Sequence, residues 1–183
     1  EIRIITAFDG DLYTKEILYE TGSGNTFETD TSEDILKIIV KDRYRDAGPA
    51  VAFIKGFGLK KGAFASSVAH DSHNIIAIGV NDDDIVEVVN EIVRLKGGLA
   101  VTDGKKVSSL QLNVAGIMSD KPCAEVAEQY EYLSDMARDL GCSMSAPFMT
   151  LSFMALLVIP ELKLSDRGLF DVRTFCHVPL FIE

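Results

Sequence analysis

Apolar runs rich in β-branched residues, Ile2 to Phe8 and Lys15 to Glu20, predict two short strands joined hairpin-fashion around Asp9-Gly10-Asp11. Thr21 to Ser32 is polar and rich in Gly, Ser and Thr, the pattern of a loop or linker. Ile35 to Lys41 and Ala50 to Ile54 predict further strands, separated by the charged stretch Asp42 to Asp46 and the turn Gly48-Pro49. Helical spacing follows Val80. Asn81-Asp82-Asp83-Asp84 offers an Asx cap with carboxylates at the positive end of the macrodipole. Ile85, Val88, Val89, Ile92 and Leu95 then share one face, widened by Val86 and Val93, and Gly97 is the expected C′ residue. Leu99 to Thr102 and Val107 to Leu112 predict a hairpin turning on Asp103-Gly104. A second helix is expected from Ser119 or Asp120, with Pro122 in its first turn and Val126, Ala127, Tyr130, Leu133, Ala137 and Leu140 along its buried stripe, until Gly141.

The tail from Ala146 is more ambiguous. Phe148 to Ile159 lacks clean alternation and fits a buried helix or a buried strand; its Met and Phe residues read as core. Ser165-Asp166-Arg167-Gly168 is a turn, and Val178 to Ile182 suits an edge position because Pro179 cannot donate to a ladder. The expected class is α+β, with mixed sheets and two main amphipathic helices. Strand–helix–strand alternates twice with a Gly stop each time, suggesting a loose internal duplication. Composition shifts near residue 30, which places a domain boundary between 1–30 and 31–183.

One stretch departs from packing alone. Between the β-prone runs of Gly56 to Val80 lies a polar knot, His70-Asp71-Ser72-His73-Asn74, holding two of the three histidines. Asp, Ser and Asn favour turns, so a plain strand-to-strand connection accounts for much of it. Two imidazoles in one turn add groups that titrate near neutral pH and can donate, accept or bind metal.

At 183 residues the chain can bury one sizeable core. It opens on Glu1-Ile2-Arg3 in a strand-like pattern with no visible signal segment, which reads as a piece of something longer. A net charge of −10 argues against nucleic acid and anionic membrane as partners. Cys123, Cys142 and Cys176 form no C-x-x-C pair and suit free thiols in a reducing cytoplasm. The zinc nucleobase-deaminase signature is missing, since no histidine has Glu two positions on and Pro122-Cys123 lacks its second Cys. Gly56-Phe57-Gly58-Leu59-Lys60-Lys61-Gly62 misses the dinucleotide spacing by one residue, though Lys60 and Lys61 could line a cleft. Without a G-x-S-x-G elbow, Ser66 and Ser67 are poor nucleophiles.

The motifs KGFGLKKGAFASSVAHDSHNIIAIG, NDDDI, VAGIMSD and PFMTLSFMALLVIPELKLSDRGLFDV together resemble the C-terminal region of adenine deaminase, an amidohydrolase-superfamily enzyme. The resemblance covers about Ile35 to Glu183. It implies that residues before about 30 end a preceding small β domain. It also implies hydrolysis of adenine to hypoxanthine and ammonia at a binuclear manganese or iron centre in a preceding (β/α) barrel. That barrel opens with an H-x-H pair, whereas His70 and His73 form H-x-x-H and only His177 remains. The implied chain therefore holds no cofactor and is inert alone; its implied partners are the barrel, adenine as the parent's substrate, and further copies in a cytoplasmic homo-oligomer. Under that reading His70, Asp71, Ser72, His73 and Asn74, with Ser66 and Ser67, line the cleft, and His70 or His73 helps ammonia leave as a proton donor. The alternative is a structural and oligomerisation module in which the knot is an ordinary turn. A free-standing ligand-sensing domain ranks last.

Overall fold

The computed structural model describes residues 1–21 and 27–182, so residues 22–26 of the expected loop lie outside the described residues. Eight strands form one sheet: β1 (Ile2–Ala7), β2 (Thr14–Tyr19), β3 (Leu36–Lys41), β4 (Ala50–Lys55), β5 (Ala63–Ser66), β6 (Ile75–Gly79), β7 (Gly98–Thr102) and β8 (Val107–Gln111). Their order across the sheet is β2-β1-β4-β3-β6-β5-β7-β8. β1 and β4 run parallel, and the other pairs among the described residues are antiparallel. The sheet therefore runs across the compositional boundary near residue 30. A second sheet of β9 (Leu162–Ser165), β10 (Gly168–Asp171) and β11 (Cys176–His177) packs beside β4 and β3. With helices α1 (Asp82–Leu95), α2 (Cys123–Asp139) and α3 (Pro147–Phe153), the class is α+β.

Strand alternation sorts side chains by size as well as by face. Phe64, Ile76, Ile78, Leu99 and Val101 point to the larger core, which α2, α3 and the small sheet close. Ala63, Ala65, Ala77 and Ala100 point to the other face, where their small size lets α1 settle through Ile85, Val88 and Ile92. α1 starts as expected: Asn81 Oδ1 accepts from Asp84 N at 2.8 Å. It ends one residue early, because Lys96 itself takes the left-handed conformation (φ 61°) before Gly97 donates to the Ile92 carbonyl.

Several expectations are corrected. The β7–β8 turn has four residues, 103–106, because Asp103 Oδ1 accepts from both Lys105 N and Lys106 N and so widens the loop. α2 begins at Cys123, with Pro122 outside it as an N-cap lacking a side-chain bond, and Ala127 is exposed. Phe148 to Ile159 is helical only to Phe153 and then turns. Among the described residues there is no second strand–helix–strand copy, since α2 leads to α3 rather than to a strand. The last segment pairs with the start of β1, an interior strand between β2 and β4 and not an edge of the sheet: Arg3 N donates to Leu180 O and Ile182 N to Glu1 O.

The register places Lys41, Ala50, Ser66, Ile75, Gly98 and Gln111 at one end of the sheet. Connections 42–49, 67–74, 96–97 and 112–118 gather there, and the glycine-rich 56–62 segment lies at the opposite end.

Candidate functional site

The knot is the connection from β5 to β6, held from three sides. His70 N donates to Ser152 O at the end of α3, and His73 N to Ala69 O; His73 is left-handed (φ 51°). Asn74, 4% exposed, accepts through Oδ1 from Arg43 N at 3.4 Å. Tyr44 Oη donates to Ser72 O at 3.4 Å.

Ser66 and Ser67 are buried and committed to the backbone. Ser66 Oγ accepts from Val68 N at 2.9 Å; Ser67 Oγ accepts from Gly98 N at 2.8 Å and donates to Gly116 O at 2.5 Å. These hydroxyls tie β5, β7 and the 112–118 loop together. The imidazoles are half-buried. The His70 ring lies 4.9 Å from Phe153 and 5.6 Å from His73, centroid to centroid. His73 Nδ1 is buried without a hydrogen-bond partner. Burial first, then the nearby His70 and Arg43, pushes the His73 pKa below the usual histidine range, against a smaller pull from Asp71. Asp71 and Ser72 are exposed.

Asp71, Ser72 and Asn74 border a hollow of about 610 Å3. Its other side brings residues from distant parts of the chain: Tyr44 and Arg45 from the β3–β4 connection, Arg167 from the β9–β10 turn, and His177 from β11. His70 and His73 are not among its lining residues. His177 Nδ1 faces Leu169 O at 3.2 Å. A carbonyl only accepts, so Nδ1 carries the proton and Nε2 is left as an acceptor. Only the fold brings His177 to the knot, about a hundred residues away, and no local pattern in the sequence signals it.

The glycine-rich segment is no phosphate loop. The carboxylate of Asp34 accepts from Gly56 N and Gly58 N, both at 2.7 Å, so the amides that would cradle an anion are taken. Lys60 Nζ donates to Thr31 O. Among the described residues, no group of three His, Cys, Asp or Glu is placed to hold a metal ion. His70 and His73 alone do not fit a binuclear centre.

A family model described as the adenine deaminase C-terminal domain matches residues 11–176. Similar proteins include the adenine deaminase of Methanosarcina mazei, 51% identical over 184 residues, covering 100% of this chain and 33% of that protein. The adenine deaminase of a Sulfurovum species is 54% identical over 173 residues, 94% of this chain and 31% of its own length. That of Salinibacter ruber is 50% identical over 186 residues, 100% of this chain and 34% of its own length. The chain thus spans about a third of the length of the curated relatives it matches.

Proposed function

Since the chain belongs to the adenine deaminase C-terminal domain family, we propose that it forms one wall of the reaction cleft in a full-length adenine deaminase. The parent would convert adenine and water to hypoxanthine and ammonia, as a cytoplasmic purine-salvage hydrolase. Its metal centre, manganese or iron, is assigned to the rest of the polypeptide, because the described residues here bring no such donor set together. The metal would activate water for attack; this chain contributes contacts alone.

The observation that carries this reading is the hollow itself, which joins the knot to Tyr44, Arg167 and His177. Adenine presents ring-nitrogen acceptors and an exocyclic amine donor. Asp71 and His177 Nε2 are acceptors suited to the amine. Asn74 Oδ1 is engaged by Arg43 N, which leaves its NH2 to donate to a ring nitrogen. Tyr44 offers an exposed ring for stacking on a base. His73, whose pKa is lowered mainly by burial, does not line the hollow, so the proton-donor role expected from sequence is not part of this reading.

The isolated chain should be inert. Purified alone and incubated with adenine, with and without added manganese, it should release no ammonia above a protein-free blank. Measurable turnover would overturn the assignment of the chemistry to another part of the parent.

A second reading, a structural and oligomerisation module, has its own observation. A groove of about 370 Å3 between α1 and strands β3 and β4 is lined largely by apolar side chains, among them Val51, Val86 and Val89. Val51 and Val86 are exposed. If a second copy covers this groove, light scattering of the isolated chain should report a dimer that Val86→Glu dissociates; a monomer at all concentrations counts against it.

A further inference from the structure

A second hollow, of about 670 Å3, lies on the other side of segment 42–46, reaching to the C-terminal end of α1. Lys41, Arg43, Arg45 and Lys96 stand around it. In a chain with 28 acidic residues against 18 basic ones, cations should readily find carboxylates. Yet among the described residues none of these four makes an ion pair. Lys41 Nζ donates to the carbonyls of Asp42 (2.9 Å) and Arg45 (3.1 Å), and Arg43 Nη2 to that of Ala115 (2.7 Å). The hollow's two acids do not neutralise them: Asp42 accepts from Tyr44 N, and Asp46 is exposed.

The Arg43 guanidinium is held in place: it lies 4.9 Å from the centroid of the Tyr44 ring, and its Nε is buried beneath the surface. Guanidinium groups bind phosphate oxygens through paired N–H donors, and several cations together favour a dianion over a monoanion. The cavity is far larger than an inorganic ion needs, and Ile75, Ile92 and Val93 give it an apolar wall.

We propose that this hollow binds a small phosphomonoester, with the exposed side chains of Arg45 and Lys96 holding the phosphate, Arg43 adding its charge beside them, and the apolar wall taking the organic part. Asp42, Tyr44 and Arg45 line both hollows, so a ligand here bears on the segment that borders the knot.

The test is an NMR titration of this chain with inorganic phosphate at constant ionic strength, with chloride and acetate as parallel arms. Saturable shifts in the amides of Arg43, Arg45, Lys96, Gly97 and Ala115 are expected with phosphate only. The double variant Arg45→Ala/Lys96→Ala changes exposed side chains, so the fold should persist while phosphate affinity falls at least tenfold. Equal shifts with chloride or acetate would overturn the proposal, as would phosphate affinity unchanged in the double variant. Catalysis plays no part in this test, so its failure leaves the cleft reading untouched.

Discussion

Replacing Gly97 with alanine is expected to destabilise the chain by about 3 kcal/mol or more, the sum of left-handed strain and overpacking. Gly97 holds φ +126°, where L side chains are rare, and a Cβ there would stand 2.2 Å from the Cα of Gly116. Neither backbone can give way cheaply. Gly97 N is bonded to Ile92 O, Leu112 N to Gly97 O, and Gly116 O to the buried Ser67 hydroxyl. The damage would spread to the end of the sheet that carries both hollows, because Arg43 packs on Gly116. Against a typical total of about 5–15 kcal/mol, such a loss is a large fraction of stability. Gly48→Ala is the control, since its Cβ meets nothing within 4 Å and its φ is unrestricted. Urea unfolding should show a large midpoint drop for the first variant and almost none for the second. Equal midpoints would mean that the Gly97–Gly116 contact does not hold this end together.

Lys163 should make stability rise with pH in the alkaline range. The side chain is fully buried on β9, with Nζ donating to Leu12 O at 2.8 Å, and burial lowers its pKa to about 8 despite the help of Asp11. Unfolded, the same amine titrates near 10.5. Between those values the unfolded chain binds the extra proton, so the stability of the folded state increases as pH climbs from 8 to 10.5. The span corresponds to about 3 kcal/mol. Cys142 acts in the opposite sense. Burial raises its pKa to about 11 from 9.0, so the folded state keeps the proton longer and stability falls across that interval. Comparing the wild type with Lys163→Met isolates the lysine. The difference in unfolding free energy should shift in favour of the wild type from pH 8 to 10.5, and a constant difference would show that the amine is not desolvated as described.

Local patterns carried much of this architecture. The capped start of α1, the β1–β2 hairpin and the Ser165–Gly168 turn each follow from residues adjacent in sequence, and each forms as expected. Some errors lie in local turn and cap chemistry, and the others arose where tertiary contacts decide. Asp103 widens its turn with two backbone bonds, and α2 waits for Cys123 because nothing upstream caps it. The knot stood out for its imidazoles, but the fold presents Asp71, Ser72 and Asn74 to the hollow and packs the His70 ring against Phe153. His177, Tyr44 and Arg167 reach the same hollow through strand order and sheet packing, which no short motif encodes. The glycine spacing of 56–62 already spoke against a phosphate loop, and a distant residue adds to that: Asp34 occupies the amides of Gly56 and Gly58.

The cleft-wall reading is tested most directly by the kcat/KM for adenine of the full-length enzyme carrying Asp71→Asn and, separately, His177→Ala. Both side chains are exposed in this domain, so folding should be unaffected. Each variant is expected to lose tenfold or more in kcat/KM, about 1.4 kcal/mol of transition-state stabilisation, at unchanged melting temperature. Wild-type kcat/KM in both variants would contradict the account and leave the domain a structural role.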